Sequence, residues 1–175
     1  YESLVRHRAD LIMVTLTGDR HGRPQVDYTV NPALGIPDMT GPEGHDGPIA
    51  SALPAWDLIA GNLVVSSLLA AERHRLRRGQ GQDVELSLKD VAAATLGHLG
   101  MIGDAVLNPT PREKAGNALY GAYGHDFLCA CGQRVMVIGL TDRQWRGLVK
   151  VTDTNIAMSA LAAAAKADLN DEGTR

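Results

Sequence analysis

The chain has 175 residues with 45% apolar and 21% charged side chains, enough for one domain or two small ones around a buried core. A formal net charge of −3 supplies no basic stripe to neutralise phosphates, so composition argues against a nucleic-acid partner. Aromatic residues are few, with Phe127 the single phenylalanine, and abundant Gly and Ala favour close helix packing.

Residues 1–9 are polar and read as the end of a helix. The β-branched, apolar run from Leu11 to Leu16 predicts a buried strand that ends at Gly18. Residues 19–54 have no sustained period and are punctuated by prolines and glycines, including Pro24, Pro32, Pro37, Pro42 and Pro48. A stretch of this length without regular structure is usually functional or wraps a partner.

Asp57 then opens the clearest helix, proline-free over residues 58 to about 77. Leu58, Ile59, Leu63, Val64, Val65, Leu68 and Leu69 give it a wide apolar face. Arg73, Arg75, Arg77 and Arg78 suit the negative end of the helix dipole, and Gly79 suits the C-terminal cap. The most apolar part, Leu58 to Ala71, is shorter than the roughly 20 residues that span a bilayer, so no membrane partner is expected.

Residues 84–88 alternate and predict a short strand. Ser87 or a neighbour is placed to cap a second helix over about 89–102, whose Ala92, Ala93, Ala94, Gly97 and Gly100 admit close approach of another helix. Residues 103–116 read as a connection. Residues 127–130 and 134–140 predict a hairpin around Gly132 and Gln133, Thr141 caps a helix from Asp142, and the Ala-rich stretch 154–166 reads as helical before a polar tail over 168–175. Cys129 and Cys131 are two apart, too close for an unstrained bridge. Free thiols are the expectation, and with them a cytoplasmic location.

Chemistry centres on Asp57. By local pattern an aspartate opening a helix is a cap. The same position also suits a functional carboxylate: Ala60 and Gly61 in the first turn leave room for a bulky ligand, and backbone amides stabilise developing charge. The run from Tyr120 through Gly121 and Tyr123 to Gly124 reads either as an ordinary turn before a strand or as a loop whose backbone approaches a ligand. The six histidines, among them His98 on the Gly/Ala-rich helix, have no metal-ligand spacing, and no metal site is expected. The arginines at 73–78 read as a solvated helix end, with contact to a phosphate group as the second option.

The run from Leu53 to Asp57, the apolar helix after it, and the segment from Arg77 to Asp90 together resemble family III CoA-transferases. In that family an aspartate precedes a Gly-containing helix that ends in a basic Gly-x-Gly-Gln turn leading to a strand and a second helix. Residues 9–18 resemble the family strand before its ligand-binding turn, and residues 120–123 and 132–139 the start of its small domain. The resemblance implies an α/β fold. Residues 1–54 would be the end of the large domain and a wrapping linker, 55–105 the nucleophile-bearing helix, strand and second helix, and 106–167 a small α+β domain.

The resemblance further implies that Asp57 is the nucleophile. Gly18, Asp27, Tyr28, Tyr120, Gly121 and Gly124 would contact CoA or substrate. CoA would enter as part of an acyl-CoA substrate rather than as a tightly bound cofactor, and the protein would be an interlocked homodimer. Racemases of the same family need a histidine at the position of Val26 and a glutamate near Thr141 and Asp142, so racemase chemistry is disfavoured. Residues 26–31, Leu34 with Gly35, residues 40–42 and 116–121 are most similar to a subgroup that carries CoA between C1 and C4 of one C5 unsaturated dicarboxylate. A non-catalytic fragment in which Asp57 only caps its helix is the competing reading. Family members are more than twice this length. The start at Tyr1 therefore suggests part of a longer chain, and the isolated segment is expected to be inactive.

Overall fold

A computed structural model describes residues 1–152 of the chain, which divide into two units, Tyr1–Gly116 and a second beginning at Asn117. The expected helix at 154–166 and the polar tail lie outside the described residues. So do residues 153–167 of the expected 106–167 domain, whose residues 106–116 fall in the first unit.

In the first unit a short helix α1 (Glu2–Val5) precedes strand β1 (Ile12–Thr17), where the β-branched run predicts it. Strand β1 pairs in parallel with a later strand over Gln82–Ser87, with Ile12 opposite Gln82 and Thr17 opposite Ser87. The connection between them is helical, as a parallel pair requires. It contains α2 (Asp27–Ala33), α3 (Ile36–Met39) and α4 (Ala55–Arg78), followed by the strand itself, β2. The Pro-rich stretch is thus less irregular than its composition predicts. Short helices escape period analysis, and Pro37 sits in the first turn of α3, where its missing N–H has no cost.

Helix α4 ends as expected, with Gly79 at φ +69° and its N–H bonded to the Arg75 carbonyl. It starts earlier than expected. Pro54 holds the cap position, and Asp57 is the third helical residue, not the cap. The packed stripe also differs from the wide apolar face. Trp56, Ala60 and Ala71 are buried, with Val64, Ser67 and Arg75 half-buried between and after them. Those positions repeat every three or four residues and define one side of the helix. Leu58, Val65, Leu68 and Leu69 remain exposed. With apolar residues on every side, period alone does not select a face; the small residues mark where the neighbouring backbone comes close. At 24 residues α4 is long and apolar enough to cross a membrane by length and composition alone, yet its packed stripe lies against α2, α5 and both strands.

Two glycines are fixed by close approach. A Cβ on Gly81 would lie 1.9 Å from the Leu11 carbonyl oxygen, and one on Gly18 would lie 2.1 Å from the Gln25 nitrogen. Ser87 caps α5 (Leu88–His98), its hydroxyl accepting from the Asp90 N–H at 3.2 Å. The single helix expected over 89–102 is broken by Gly100, at φ +78°, and restarts as α6 (Met101–Leu107). The core joins Val30 of α2, Trp56 and Ala60 of α4, and Leu88, Val91, Ala92 and Leu96 of α5.

The second unit holds an antiparallel hairpin, β3 (Tyr123–Leu128) with β4 (Arg134–Gly139), and α7 (Asp142–Thr152). The Thr141 hydroxyl accepts from the Gln144 N–H, and the Gln144 side chain reaches back to the N–H groups of Leu140 and Thr141, a reciprocal cap. Trp145 packs edge-on to Tyr123 with ring centroids 4.8 Å apart.

Candidate active site

The first unit brings Asp57 and Asp27 to the start of α4 and places Gly18 at the end of β1. The Asp57 side chain is exposed in the first turn of α4, where the helix dipole favours an anion. Gly61 lies one turn further on the same face, and a Cβ there would meet nothing within 4 Å. That side of the first turn is open, as the residue pattern predicts. Ala60 contributes nothing to the opening: it is fully buried against the core.

Pro54 has no side chain able to cap, so the first amides of α4 need a partner from elsewhere. Asp27 supplies it. Its carboxylate is buried, and its Oδ2 accepts the backbone N–H of Trp56 at 3.0 Å. Asp27 is itself the first residue of α2, so its charge faces the N-terminal ends of two helices. One turn along α2, the Asn31 Oδ1 accepts the Trp56 indole N–H at 2.9 Å. Trp56, the neighbour of Asp57, is therefore held at backbone and ring by one face of α2. Nothing in the residue pattern points to Asn31. The i, i+4 spacing of Asp27 and Asn31 becomes informative only when 27–33 is known to be helical.

Tyr28 is 76% exposed beside the buried Asp27. Val26 holds the cap position of α2 and is exposed; its N–H donates to the Thr29 hydroxyl oxygen. Gly18 is packed under the Arg23–Gln25 backbone, and its carbonyl accepts the Lys89 N–H at 3.1 Å. The absence of a side chain at Gly18 thus serves packing. The turn that follows is built on buried Asp19. Burial opposes its charge, but bonds from the Arg23 backbone and guanidinium and from the His21 N–H outweigh this and hold its pKa below the usual value.

Tyr120, Gly121 and Gly124 belong to the second unit. Gly121 has φ +73°. Gly124 is a buried strand residue whose carbonyl accepts the Leu119 N–H, and a Cβ there would lie 2.7 Å from the Leu119 Cβ. Cys129 and Cys131 are free. Among the described residues no three His, Cys, Asp or Glu side chains are grouped to hold a metal. The cavity of about 500 Å³ bordered by α3, α5, α6 and residues 108–112 touches none of the candidate residues.

A model of CoA-transferase family III matches residues 1–173. The chain is 52% identical over all of its 175 residues to 2-methylfumaryl-CoA isomerase of Chloroflexus aurantiacus, of which it covers 43%. It is 29% identical over 158 residues to succinate–glutarate CoA-transferase of Agrobacterium fabrum, covering 86% of this chain and 38% of that protein. The chain thus spans less than half the length of these relatives. A CAIB/BAIF family protein of Brucella suis has a similar fold, with a TM-score of 0.64 at 22% identity over 86% of this chain and 40% of that one. Rv3272 of Mycobacterium tuberculosis gives 0.66 at 19% identity over 85% and 39%.

Proposed function

The chain belongs to CoA-transferase family III, and from that premise we propose that Asp57 is the nucleophile of a CoA transfer between the C1 and C4 carboxyls of one C5 unsaturated dicarboxylate. The observation that carries this reading is the identity of 52%, unbroken in coverage across the whole chain, to 2-methylfumaryl-CoA isomerase. The exposed carboxylate in an open first turn is the geometry such a nucleophile requires.

The Asp57 carboxylate attacks the C1 thioester and expels CoA thiolate, leaving a mixed anhydride. The thiolate attacks the aspartyl carbonyl, which frees the C1 carboxylate and forms an aspartyl-CoA thioester. The C4 carboxylate of the same molecule then attacks that thioester, again expelling thiolate. The thiolate adds to the C4 acyl carbon, and Asp57 is regenerated. Covalent catalysis divides one difficult exchange into easier steps. An aspartyl anhydride is as reactive as the acyl donor, whereas a serine ester would be a sink. Coenzyme A is here part of the substrate and not a resident cofactor.

Succinate–glutarate CoA-transferase, named for transfer between two acids, supports CoA transfer as the class of reaction. A racemase would need a base where this chain has Val26. The exposed apolar residues of α4 accord with an interlocked homodimer, and the two free cysteines with a reducing cytoplasm.

The complete gene product, given 2-methylfumaryl-CoA alone, should yield the C4 thioester without an added acid, and isotopically labelled free dicarboxylate should not enter the product. Transfer that occurs only when a second carboxylic acid is supplied would contradict the intramolecular reading.

A further inference from the structure

We propose that Asp27 and Asn31 are positioning residues for Asp57, acting through Trp56. The inference rests on the reading of Asp57 as nucleophile and adds to it the device that aims that carboxylate. Helix α4 begins on Pro54, which offers no capping side chain. Its first turn is held instead by the buried Asp27 carboxylate on the Trp56 N–H, 3.0 Å away, and by Asn31 on the Trp56 indole at 2.9 Å. Both acceptors come from one face of α2, and fully buried Val30 packs into the same core cluster as Trp56. The residue next to Trp56 is Asp57, so the axis and rotation of the turn that carries the nucleophile follow from contacts made 25 and 29 residues away in sequence. Misplacement of a reacting group by about 1 Å costs on the order of 100-fold in rate.

The test uses the complete gene product, with kcat, KM and the rate of hydroxylamine-trapped thioester formation measured together. Asp27→Ala should lower kcat and the trapping rate about 100-fold while KM moves less than about threefold, and Asp27→Asn, which keeps an acceptor oxygen, should recover at least about tenfold of the loss. Asn31→Ala leaves the Asp27 bond intact and answers the question should Asp27→Ala not fold; it should lower kcat by about tenfold. Wild-type kcat and trapping in folded variants, with Asp57→Asn inert, would overturn the positioning role and leave the nucleophile standing. Wild-type turnover by Asp57→Asn would instead remove the nucleophile and the positioning role with it.

Discussion

The indole N–H of Trp56 donates to the Asn31 Oδ1 at 2.9 Å, with Trp56 6% exposed and Asn31 7%. A buried acceptor left without its donor costs about 1–3 kcal/mol. Trp56→Phe keeps most of the apolar volume and removes that donor with the five-membered ring that carries it. It should lower unfolding stability by an amount in that range, measured by denaturant titration, whereas Trp56→Ala should lose about 3–5 kcal/mol through the cavity it opens.

Gly81 tests the β1–β2 pairing. Its absent Cβ would lie 1.9 Å from the Leu11 carbonyl, a backbone atom that cannot swing aside. Gly81→Ala should destabilise by about 1–3 kcal/mol, the range for forced overpacking, and should speed hydrogen exchange in Ile12–Thr17. An alanine there with wild-type stability would show that the strands have slack.

Gly61 should behave in the opposite way. It sits inside α4 with open space beside it, so Gly61→Ala should add about 0.5–1 kcal/mol of stability from helix propensity alone. Gly61→Leu should leave melting near wild type while raising KM for the acyl-CoA, because the open face beside Asp57 would then be filled. An unchanged KM would mean that no ligand uses this space.

Acid should weaken the fold through its paired carboxylates. The guanidinium of Arg112 bonded to Asp104, that of Arg20 to Asp90 and that of Arg134 to Asp126 each hold a carboxyl below its ordinary value of 3.8. A depressed folded-state pKa gives stability that is present above the unfolded value and lost as pH falls through the folded one. The melting temperature should therefore hold from neutrality to about pH 5 and fall below about 4. Asp104→Asn should flatten part of that fall.

Much of this architecture is legible in the residues, for local reasons. The Leu11–Leu16 run predicts β1, Ser87 caps α5, Gly79 ends α4, and Gly132 and Gln133 lie in the hairpin turn. Those features depend on neighbours a few positions apart. The α4 cap does not. Asp27 reaches Trp56 across 29 residues, and no pattern near Pro54 announces it. Asp57 accordingly reads as a cap from its own surroundings, yet the cap comes from another helix, leaving its carboxylate exposed. The packed side of α4 is hidden for a different reason: Leu and Val ring the helix, and Trp56, Ala60 and Ala71 mark the buried face. Family membership is visible earlier than any of this, in the joined run from Leu53 to Asp90.

The most direct test of the account is covalent. The complete gene product is to be mixed with 2-methylfumaryl-CoA, quenched with hydroxylamine and digested for mass spectrometry. An aspartyl-CoA thioester is a carboxyl ester of sulfur and converts to a hydroxamate, so the peptide containing Leu53–Gly61 should gain a hydroxamate at Asp57, and Asp57→Ala should show neither the adduct nor turnover. An unmodified Asp57 in wild-type protein, together with full activity in Asp57→Ala, would contradict it.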